Sequence, residues 1–338
     1  MLKYGIVGYG YWGPNLTRVF SQAEHSLVIA VADQDSGNRG RVQALYPAMM
    51  VYSDARDLIA DTNIDVVVVA TPVSTHYELA KAALMAGKHV VVEKPLCDNA
   101  EHAAHLVDLA AKSGRQIFVD HTFIYTGALN KIHSLISSGQ LGRVLYYDST
   151  RINLGLYQHD VNVIWDLVVH DLSILQRIMP GEPDAISAIY ADPLKTGVPA
   201  IAYVTLFYPE NAIAHTHASW LAPVKIRQLL LGGDKSMVVY DDLHPSEKIR
   251  IYDKGVEFAT SPEKAYAMKV EYRQGDMLAP QIESREALSV VAEHANECFM
   301  QNKPPITSGE VGLRVVRLLE LADRSAMLNG EVLRVDGW

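Results

Sequence analysis

The stretch Tyr-Gly-Ile-Val-Gly-Tyr-Gly-Tyr-Trp-Gly at residues 4–13 decides the fold of this chain. A short apolar run leads directly into the pattern Gly8-x-Gly10-x-x-Gly13. Gly8 permits a tight turn, Gly10 leaves the backbone bare for an approaching phosphate, and Gly13 lets a helix pack closely against the strand. The spacing therefore predicts a strand, a glycine loop and a helix that together bind a phosphate group.

The residues after this loop supply the remaining parts of a dinucleotide site. Pro14 to Ser21 is compatible with a helix, and its exposed N–H groups would face the negative charge of a ligand. A second apolar run, Leu27 to Ala32, ends at Asp33. A carboxylate at this position can accept both hydrogen bonds of an adenosine ribose and would repel a 2′-phosphate. The sequence therefore predicts NAD rather than NADP as the cofactor.

Composition limits the class of protein. The chain has 338 residues, of which 49% are apolar, which is enough for two domains with cores. Its net charge of −9 is scattered along the chain, so we expect no nucleic acid and no membrane as a partner. Two cysteines, Cys97 and Cys298, argue against a disulfide scaffold, and no apolar stretch has the length of a membrane span. We expect a cytoplasmic protein.

Apolar runs alternate with helical segments as far as residue 121. Runs such as Val66 to Val69 are typical of parallel strands buried on both faces. The pattern predicts an α/β protein whose residues 1–121 form an N-terminal Rossmann domain, a doubly wound parallel sheet that binds NAD. Residues 122–338 are predicted to form a C-terminal α+β domain with a large, open, mainly antiparallel sheet. This second domain would bind the substrate and carry the subunit contacts.

Four runs of period two predict consecutive antiparallel strands in the second domain. The strands are Ala202 to Tyr208, Ile213 to Trp220, Lys225 to Leu231 and Met237 to Tyr240. One face of so large a sheet needs a cover. We therefore expect a homodimer or homotetramer formed through this sheet. Two helices, Ser284 to Met300 and Ser308 to Leu328, are predicted to close the chain.

Three further motifs carry a resemblance to a known family. They are Ala70-Thr71-Pro72 with His76, Glu93-Lys94-Pro95, and Trp165-Asp166-Leu167-Val168-Val169-His170-Asp171. With the glycine loop, they resemble the glucose-fructose oxidoreductase, inositol dehydrogenase and rhizopine catabolism family of NAD(P)-dependent oxidoreductases. The resemblance covers essentially the whole chain. It implies that Lys94, Asp166 and His170 form the catalytic set and that the Lys94–Pro95 peptide bond is a candidate for the cis form.

The chemistry of these three residues agrees with that assignment. Asp166 and His170 are four residues apart, so they share one face of a helix. To oxidise a secondary alcohol, a base must remove the hydroxyl proton while a hydride leaves the same carbon. His170 suits the base, Lys94 can donate to the alcohol oxygen, and Asp166 would orient the substrate or tune the other two groups.

The other expected site residues fall into three sets. His215 and His217 share one face of a strand, but no third ligand has a recognisable spacing, so no metal site is predicted. The predicted substrate contacts are Arg151, Asn153 and Trp165. The predicted cofactor contacts are Gly8, Gly10, Tyr11, Trp12, Gly13, Asp33, Thr71, Pro72, His76, Glu93, Lys94 and His121.

Two short segments refine the expected substrate. Residues 10–15 and 120–122 look most like family members that act at C3 of nucleotide-linked sugars. In contrast, residues 123–127 replace the Arg-aromatic-x-Pro segment of many members, which weakens a transfer of substrate by analogy. We expect an NAD(H)-dependent enzyme that interconverts a secondary alcohol and a ketone on a sugar or nucleotide-sugar, at C3. The alternatives are a dehydrogenase of a free polyol or cyclitol and a non-catalytic NAD-sensing regulator.

Overall fold

The computed structural model describes residues 1–155, 161–253, 255–257, 271–273 and 275–335. The chain divides into two compact units, of which the first contains Met1–Tyr125 and Arg285–Glu320 and the second Thr126–Ser284 and Leu321–Trp338. The described helices are α1 (Gly13–Gln22), α2 (Ser36–Leu45), α3 (Ala55–Ala60), α4 (His76–Met85), α5 (Ala100–Ser113), α6 (Gly127–Ser137), α7 (Val169–Ile178), α8 (Ala287–Gln301) and α9 (Gly309–Met327).

The described strands are β1 (Leu2–Val7), β2 (Ser26–Ala32), β3 (Met50–Tyr52), β4 (Val66–Val69), β5 (His89–Glu93), β6 (Ile117–Asp120), β7 (Val144–Leu154), β8 (Ala185–Ala191), β9 (Ile201–Phe207), β10 (Ile213–Ser219), β11 (Leu221–Gly233), β12 (Met237–Asp241), β13 (Ile249–Tyr252), β14 (Gly255–Glu257), β15 (Glu271–Arg273), β16 (Met277–Leu278) and β17 (Leu333–Arg334). No helix in the described ranges combines the length and the apolar character needed to cross a membrane.

The first unit contains the predicted Rossmann sheet. Its described strands are parallel and lie in the order β3-β2-β1-β4-β5-β6. All four valines of β4 are buried, as expected for a strand covered on both faces. The order reverses between β1 and β4, and ligands of such sheets bind at the carboxyl ends of the strands beside that reversal. The glycine loop follows β1 at this edge of the sheet.

A late segment of the chain also belongs to the first unit. Helix α8 packs Val291, Ala295 and Phe299 into the same apolar cluster as Leu16 and Phe20 of α1. Polar contacts fix the same surface, because the Arg18 guanidinium pairs with Glu286 at 2.6 Å. The compact units therefore differ from the expected boundary between residues 121 and 122, which assigned residues 285–320 to the second domain. The reason is the apolar face of α8, which is buried against α1.

The second unit is built on a nine-stranded sheet of described residues in the order β16-β13-β12-β11-β7-β10-β9-β8-β17. The sheet is mainly antiparallel, as predicted, but the expected run of four consecutive antiparallel neighbours is wrong. Strand β7 lies between β10 and β11, antiparallel to β11 and parallel to β10. A local alternation pattern marks each strand but not its neighbour, because β7 lies about sixty residues earlier in the chain.

The two faces of this sheet differ in exposure. On β9 and β10 the buried positions are small or aliphatic, whereas Tyr203 and Ile213 on the other face are each 40% exposed. His217 lies on that exposed face, stacked on Tyr203 with ring centroids 4.5 Å apart. The unit therefore presents a broad, partly apolar sheet face.

Candidate functional site

The backbone of the glycine loop explains its residue types. Gly8 has φ +93, and a Cβ on it would lie 2.5 Å from the carbonyl oxygen of Ala70. A Cβ on Gly13 would lie 2.1 Å from the carbonyl oxygen of Gly8, so the start of α1 packs directly on the loop. A Cβ on Gly10, in contrast, would meet nothing within 4 Å. The loop thus leaves open backbone at the position where a pyrophosphate needs to approach.

The start of α1 is suited to an anion. Pro14 lies in the first turn, no acidic residue is present there, and no described side chain caps the helix. The positive end of the helix dipole therefore faces no side-chain anion in this turn, which suits it to a phosphate. Tyr11 and Trp12 are exposed and meet edge to face with centroids 5.6 Å apart. Their predicted role in holding the cofactor is consistent with this position and remains a proposal.

Asp33 is fixed beside the glycine loop by three donors. Its Oδ2 accepts hydrogen bonds from the backbone N–H of Tyr9 at 2.6 Å and from the Asn38 side chain at 3.1 Å. Its Oδ1 accepts one from the backbone N–H of Asp35 at 2.8 Å. These bonds hold the carboxylate at the end of β2, where the ribose of a bound dinucleotide is expected. Asn38 was not predicted, since nothing in its spacing marks it.

His76 connects two loops at the carboxyl edge of the first sheet. The ring is buried, and its Nε2 lies 2.9 Å from the carbonyl oxygen of Thr71. Its Nδ1 lies 2.9 Å from the carbonyl oxygen of Pro95. The imidazole therefore ties the Thr71–Pro72 segment to the Lys94–Pro95 segment. A direct contact of His76 with the cofactor stays a prediction.

Lys94 follows directly after β5 in a charged and buried environment. The Lys94–Pro95 peptide bond is cis, as predicted. Glu93, the last residue of β5, is opposite Asp120, the last residue of β6. Burial and the adjacent Asp120 raise the pKa of Glu93 well above its ordinary value. Burial, followed by the Lys94 charge, lowers the pKa of His121 to about 3, so His121 is neutral at neutral pH.

The second unit carries Asp166 and His170 on neighbouring helical turns. Residues Ile164–Val168 form a π-helical turn that continues into α7, and His170 is the second residue of α7. Such turns occur frequently at functional sites. The Asp166 Oδ2 accepts a hydrogen bond from the indole N–H of Trp220 at 3.0 Å. Trp220 is 1% exposed and had not been predicted as a site residue, since it lies between β10 and β11 with no motif around it.

Trp165 points to a different partner from Asp166. Its indole N–H donates to the Asp323 carboxylate at 2.8 Å, and the Asn162 side chain donates to the same carboxylate at 2.7 Å. The Asn162 side-chain oxygen in turn accepts from the backbone N–H of Ile164 at 2.9 Å. The polar end of Trp165 is therefore engaged within the second unit. The predicted substrate contact of Trp165 would have to use its ring.

Arg151 forms a buried ion pair beside the His170 turn. Its Nε donates to the Asp171 carboxylate at 2.9 Å, and both side chains are less than one-tenth exposed. The Tyr147 hydroxyl donates to the other Asp171 oxygen at 2.7 Å. Burial, with the Asp171 charge, raises the pKa of Tyr147 well above its ordinary value, so the hydroxyl stays protonated. This geometry gives Arg151 a role in holding α7, while its predicted contact with substrate, like that of half-buried Asn153 on β7, remains a proposal.

Cysteines and metal-binding groups add no further chemistry in the described ranges. Cys97 and Cys298 are buried free thiols, and burial raises the pKa of both, to about 11 for Cys298. The described part of the chain contains no group of three or more His, Cys, Asp or Glu residues arranged to hold a metal ion. His215 and His217 lie on the exposed sheet face, where the Thr205 hydroxyl is 3.0 Å from His215.

Comparison with known proteins identifies the family to which this chain is similar. Residues 2–121 match the description "oxidoreductase family, NAD-binding Rossmann fold", and residues 129–239 match "GFO/IDH/MocA C-terminal domain". An uncharacterized oxidoreductase of Escherichia coli strain K12, YdgJ, is 30% identical over 267 residues, which cover 73% of each chain.

Two further relatives extend the comparison. An inositol 2-dehydrogenase of Pseudomonas syringae is 31% identical over 201 residues, covering 58% of this chain and 59% of its own. The structure of UDP-N-acetylglucosamine 3-dehydrogenase GnnA from Acidithiobacillus ferrooxidans is similar in fold. It has a TM-score of 0.81 at 21% identity and covers 97% of this chain and 98% of its own. With both halves of the chain matched, and the glycine loop and Asp33 in place, the protein belongs to the GFO/IDH/MocA family of oxidoreductases and binds NAD.

Proposed function

We propose that the protein interconverts a secondary alcohol and a ketone on a sugar or nucleotide-sugar, at C3, with Lys94 and His170 acting on the same carbon. The observation that carries this proposal is the placement of Asp166 and His170 on adjacent turns, with Asp166 held by Trp220. A carboxylate and an imidazole fixed in this way can orient a hydroxyl group and remove its proton. Further support comes from Lys94, which follows directly after a buried strand.

The residues have separate roles in the oxidation. His170 removes the hydroxyl proton, and in the reverse direction it returns that proton to the new alcohol. Lys94 donates a hydrogen bond to the alcohol oxygen and stabilises the negative charge that develops there. Asp166 orients the substrate or tunes the other two groups. When bound, NAD supplies the nicotinamide that accepts the hydride.

The choice of substrate rests on two kinds of similarity. Residues 10–15 and 120–122 resemble members that act at C3 of nucleotide-linked sugars, and this favours a nucleotide-sugar. The similarity to inositol 2-dehydrogenases favours a free cyclitol as the second candidate. We further propose that two or four copies associate through the exposed sheet face of the second unit, since covering Tyr203, Ile213 and Ile189 would bury apolar surface.

A substrate panel tests the proposed function. UDP-sugars, dTDP-sugars, free sugars and inositols are incubated with the protein and NAD, and NADH formation is followed by absorbance. We expect turnover of at least one nucleotide-sugar and its loss in Lys94→Ala and His170→Ala. Lys112→Ala serves as the control, because this lysine is exposed and pairs with Asp108 on the same helix. Turnover of inositols alone would favour the second candidate, and NAD binding without any turnover would favour a regulatory protein.

A further inference from the structure

Two acidic residues lie at the carboxyl ends of neighbouring parallel strands in the first unit. Glu93 ends β5, Asp120 ends β6, and the two residues are register partners. Partners in a parallel pair point to the same side of the sheet, on strands about 4.8 Å apart. Glu93 is 9% exposed and Asp120 is 2% exposed. Two ionised carboxylates this close, with little water, would repel each other strongly.

The hydrogen bonds of Asp120 satisfy only part of its carboxyl group. The Oδ1 atom accepts a hydrogen bond from the Thr122 hydroxyl at 2.7 Å. The Oδ2 atom is buried and has no hydrogen-bond partner among the described residues. A buried carboxylate oxygen without a partner is costly. A proton held between this carboxyl group and its strand neighbour removes both the repulsion and the unsatisfied oxygen.

The charges around Glu93 and Asp120 also favour one proton on the pair. Burial, with the Asp120 charge, raises the pKa of Glu93, and burial raises the pKa of Asp120 to about 6. The Lys94 charge opposes both shifts and is the cation acting on the pair among the described residues. His121 is the other titratable group beside it and is neutral, because burial lowers its pKa to about 3. One proton on the pair leaves a single negative charge opposite one ammonium group.

We propose that Glu93 and Asp120 share one proton at neutral pH and that this singly charged pair holds the Lys94 ammonium in its working position. Asp120 is thus a positioning residue, which acts through Lys94 and not by contact with substrate. Its part in catalysis rests on the proposed function of Lys94, whereas the shared proton does not. At low pH the pair becomes neutral, and at high pH it carries two negative charges. Only between these limits does its single negative charge equal the positive charge of Lys94.

The shared proton has a consequence for folding that needs no substrate. A carboxyl group whose pKa is raised in the folded state binds more protons than it does in the unfolded chain. The free energy of unfolding therefore falls as the pH rises from the pKa of the group in the unfolded chain through its pKa in the folded protein. For Asp120 this window runs from the ordinary pKa of 3.8 to the folded-state pKa of about 6. Replacing Asp120 with Asn removes this loss, so the variant gains stability relative to the wild type across that window.

The experiment compares Asp120→Asn and Glu93→Gln with the wild type, without substrate. Infrared spectroscopy at about pH 7 should show the C=O band of a protonated buried carboxyl in the wild type and its loss in Glu93→Gln. In Asp120→Asn the band should shift, because Glu93 stays buried but loses the neighbour that shares its proton. The midpoint of urea unfolding should rise in Asp120→Asn relative to the wild type between about pH 4 and pH 7. Asp108→Asn, an exposed aspartate on α5, should keep the wild-type band and pH dependence.

The outcomes separate the pair from the proposed function. A wild type without the band, a band that persists in Glu93→Gln or stays unshifted in Asp120→Asn, or an unchanged pH dependence of unfolding overturns the shared proton. For an active enzyme we also expect Asp120→Asn to lower kcat about tenfold, with little change in KM for NAD and a shifted pH profile. An unchanged kcat in Asp120→Asn with the band shifted would overturn the positioning role. If the band is lost in Glu93→Gln but the wild type turns over no sugar, the shared proton is supported and the proposed function is rejected.

Discussion

The glycine loop after β1 and the turn that carries Asp166 fix their functional groups by different means. In the loop, backbone sterics decide the structure, since a Cβ on Gly13 would lie 2.1 Å from the Gly8 oxygen. In the Asp166 turn, side chains from distant parts of the chain do so. Trp220 is 54 residues from Asp166, and Asp323 is 158 residues from Trp165. The cofactor end is thus encoded locally, whereas the proposed catalytic end depends on the folded second unit.

Breaking the buried ion pair between Arg151 and Asp171, next to the turn that carries Asp166, should have the largest effect on stability. Arg151→Met removes the cation from the buried Asp171 carboxylate but keeps its hydrogen bond from the Tyr147 hydroxyl. We expect the free energy of unfolding to fall by about 3–5 kcal/mol, measured by urea denaturation. The matched control is Arg143→Met, whose pair with Glu210 is exposed and contributes at most about 1 kcal/mol. Equal losses in the two variants would contradict a structural role for the buried pair.

The glycine loop can be tested by two substitutions of the same size. Gly13→Ala places a methyl group against the Gly8 backbone, so we expect a loss of about 2–3 kcal/mol in the free energy of unfolding. Gly10→Ala meets open space, so it should unfold like the wild type but bind NAD more weakly. Calorimetry and NAD titration separate the two effects. If Gly10→Ala lost stability and kept its NAD affinity, the open position would not be where the phosphate approaches.

These two regions also differ in what could be predicted from the sequence. Strand β1, the glycine loop, α1 and Asp33 follow from local spacing, and the alternation of apolar runs and helices predicted a doubly wound parallel sheet. The position of β7 between β10 and β11 did not follow, since alternation identifies a strand but not its partner. Trp220 and Asn38 were missed because each acts through a partner that is set by the fold.

Side-chain pairing limits prediction in the same way. Arg151 is predicted to bind hydroxyls, a carboxylate or a phosphate of the substrate, because it lies near a strand end just before the His170 helix, and its buried partner was not foreseen. In the structure its Nε is paired with Asp171, twenty residues later. The return of α8 to the first unit was also missed, although its two ends were placed within three residues, because an apolar helix face does not identify the surface that covers it.

The smallest expected change concerns Trp220. Trp220→Phe keeps most of the ring but removes the N–H that donates to Asp166. A hydrogen bond to a charged group contributes about 1.5 kcal/mol, so we expect kcat/KM to fall about tenfold in steady-state assays with the substrate found in the panel. Stability should fall by a similar free energy. A loss of stability with kcat/KM unchanged would mean that Trp220 only packs beneath the turn.

The central claim is that Lys94 and His170 act together on one carbon, and a double-mutant cycle tests it most directly. Rates of NADH formation are measured for Lys94→Ala, His170→Ala and the double variant with the substrate identified in the panel. Each single change should lower kcat/KM by about 10²–10⁴, and the double variant should fall at most about tenfold below the slower single variant. Losses that multiply in full would show that the two residues act independently, and single variants with wild-type rates would contradict the account altogether.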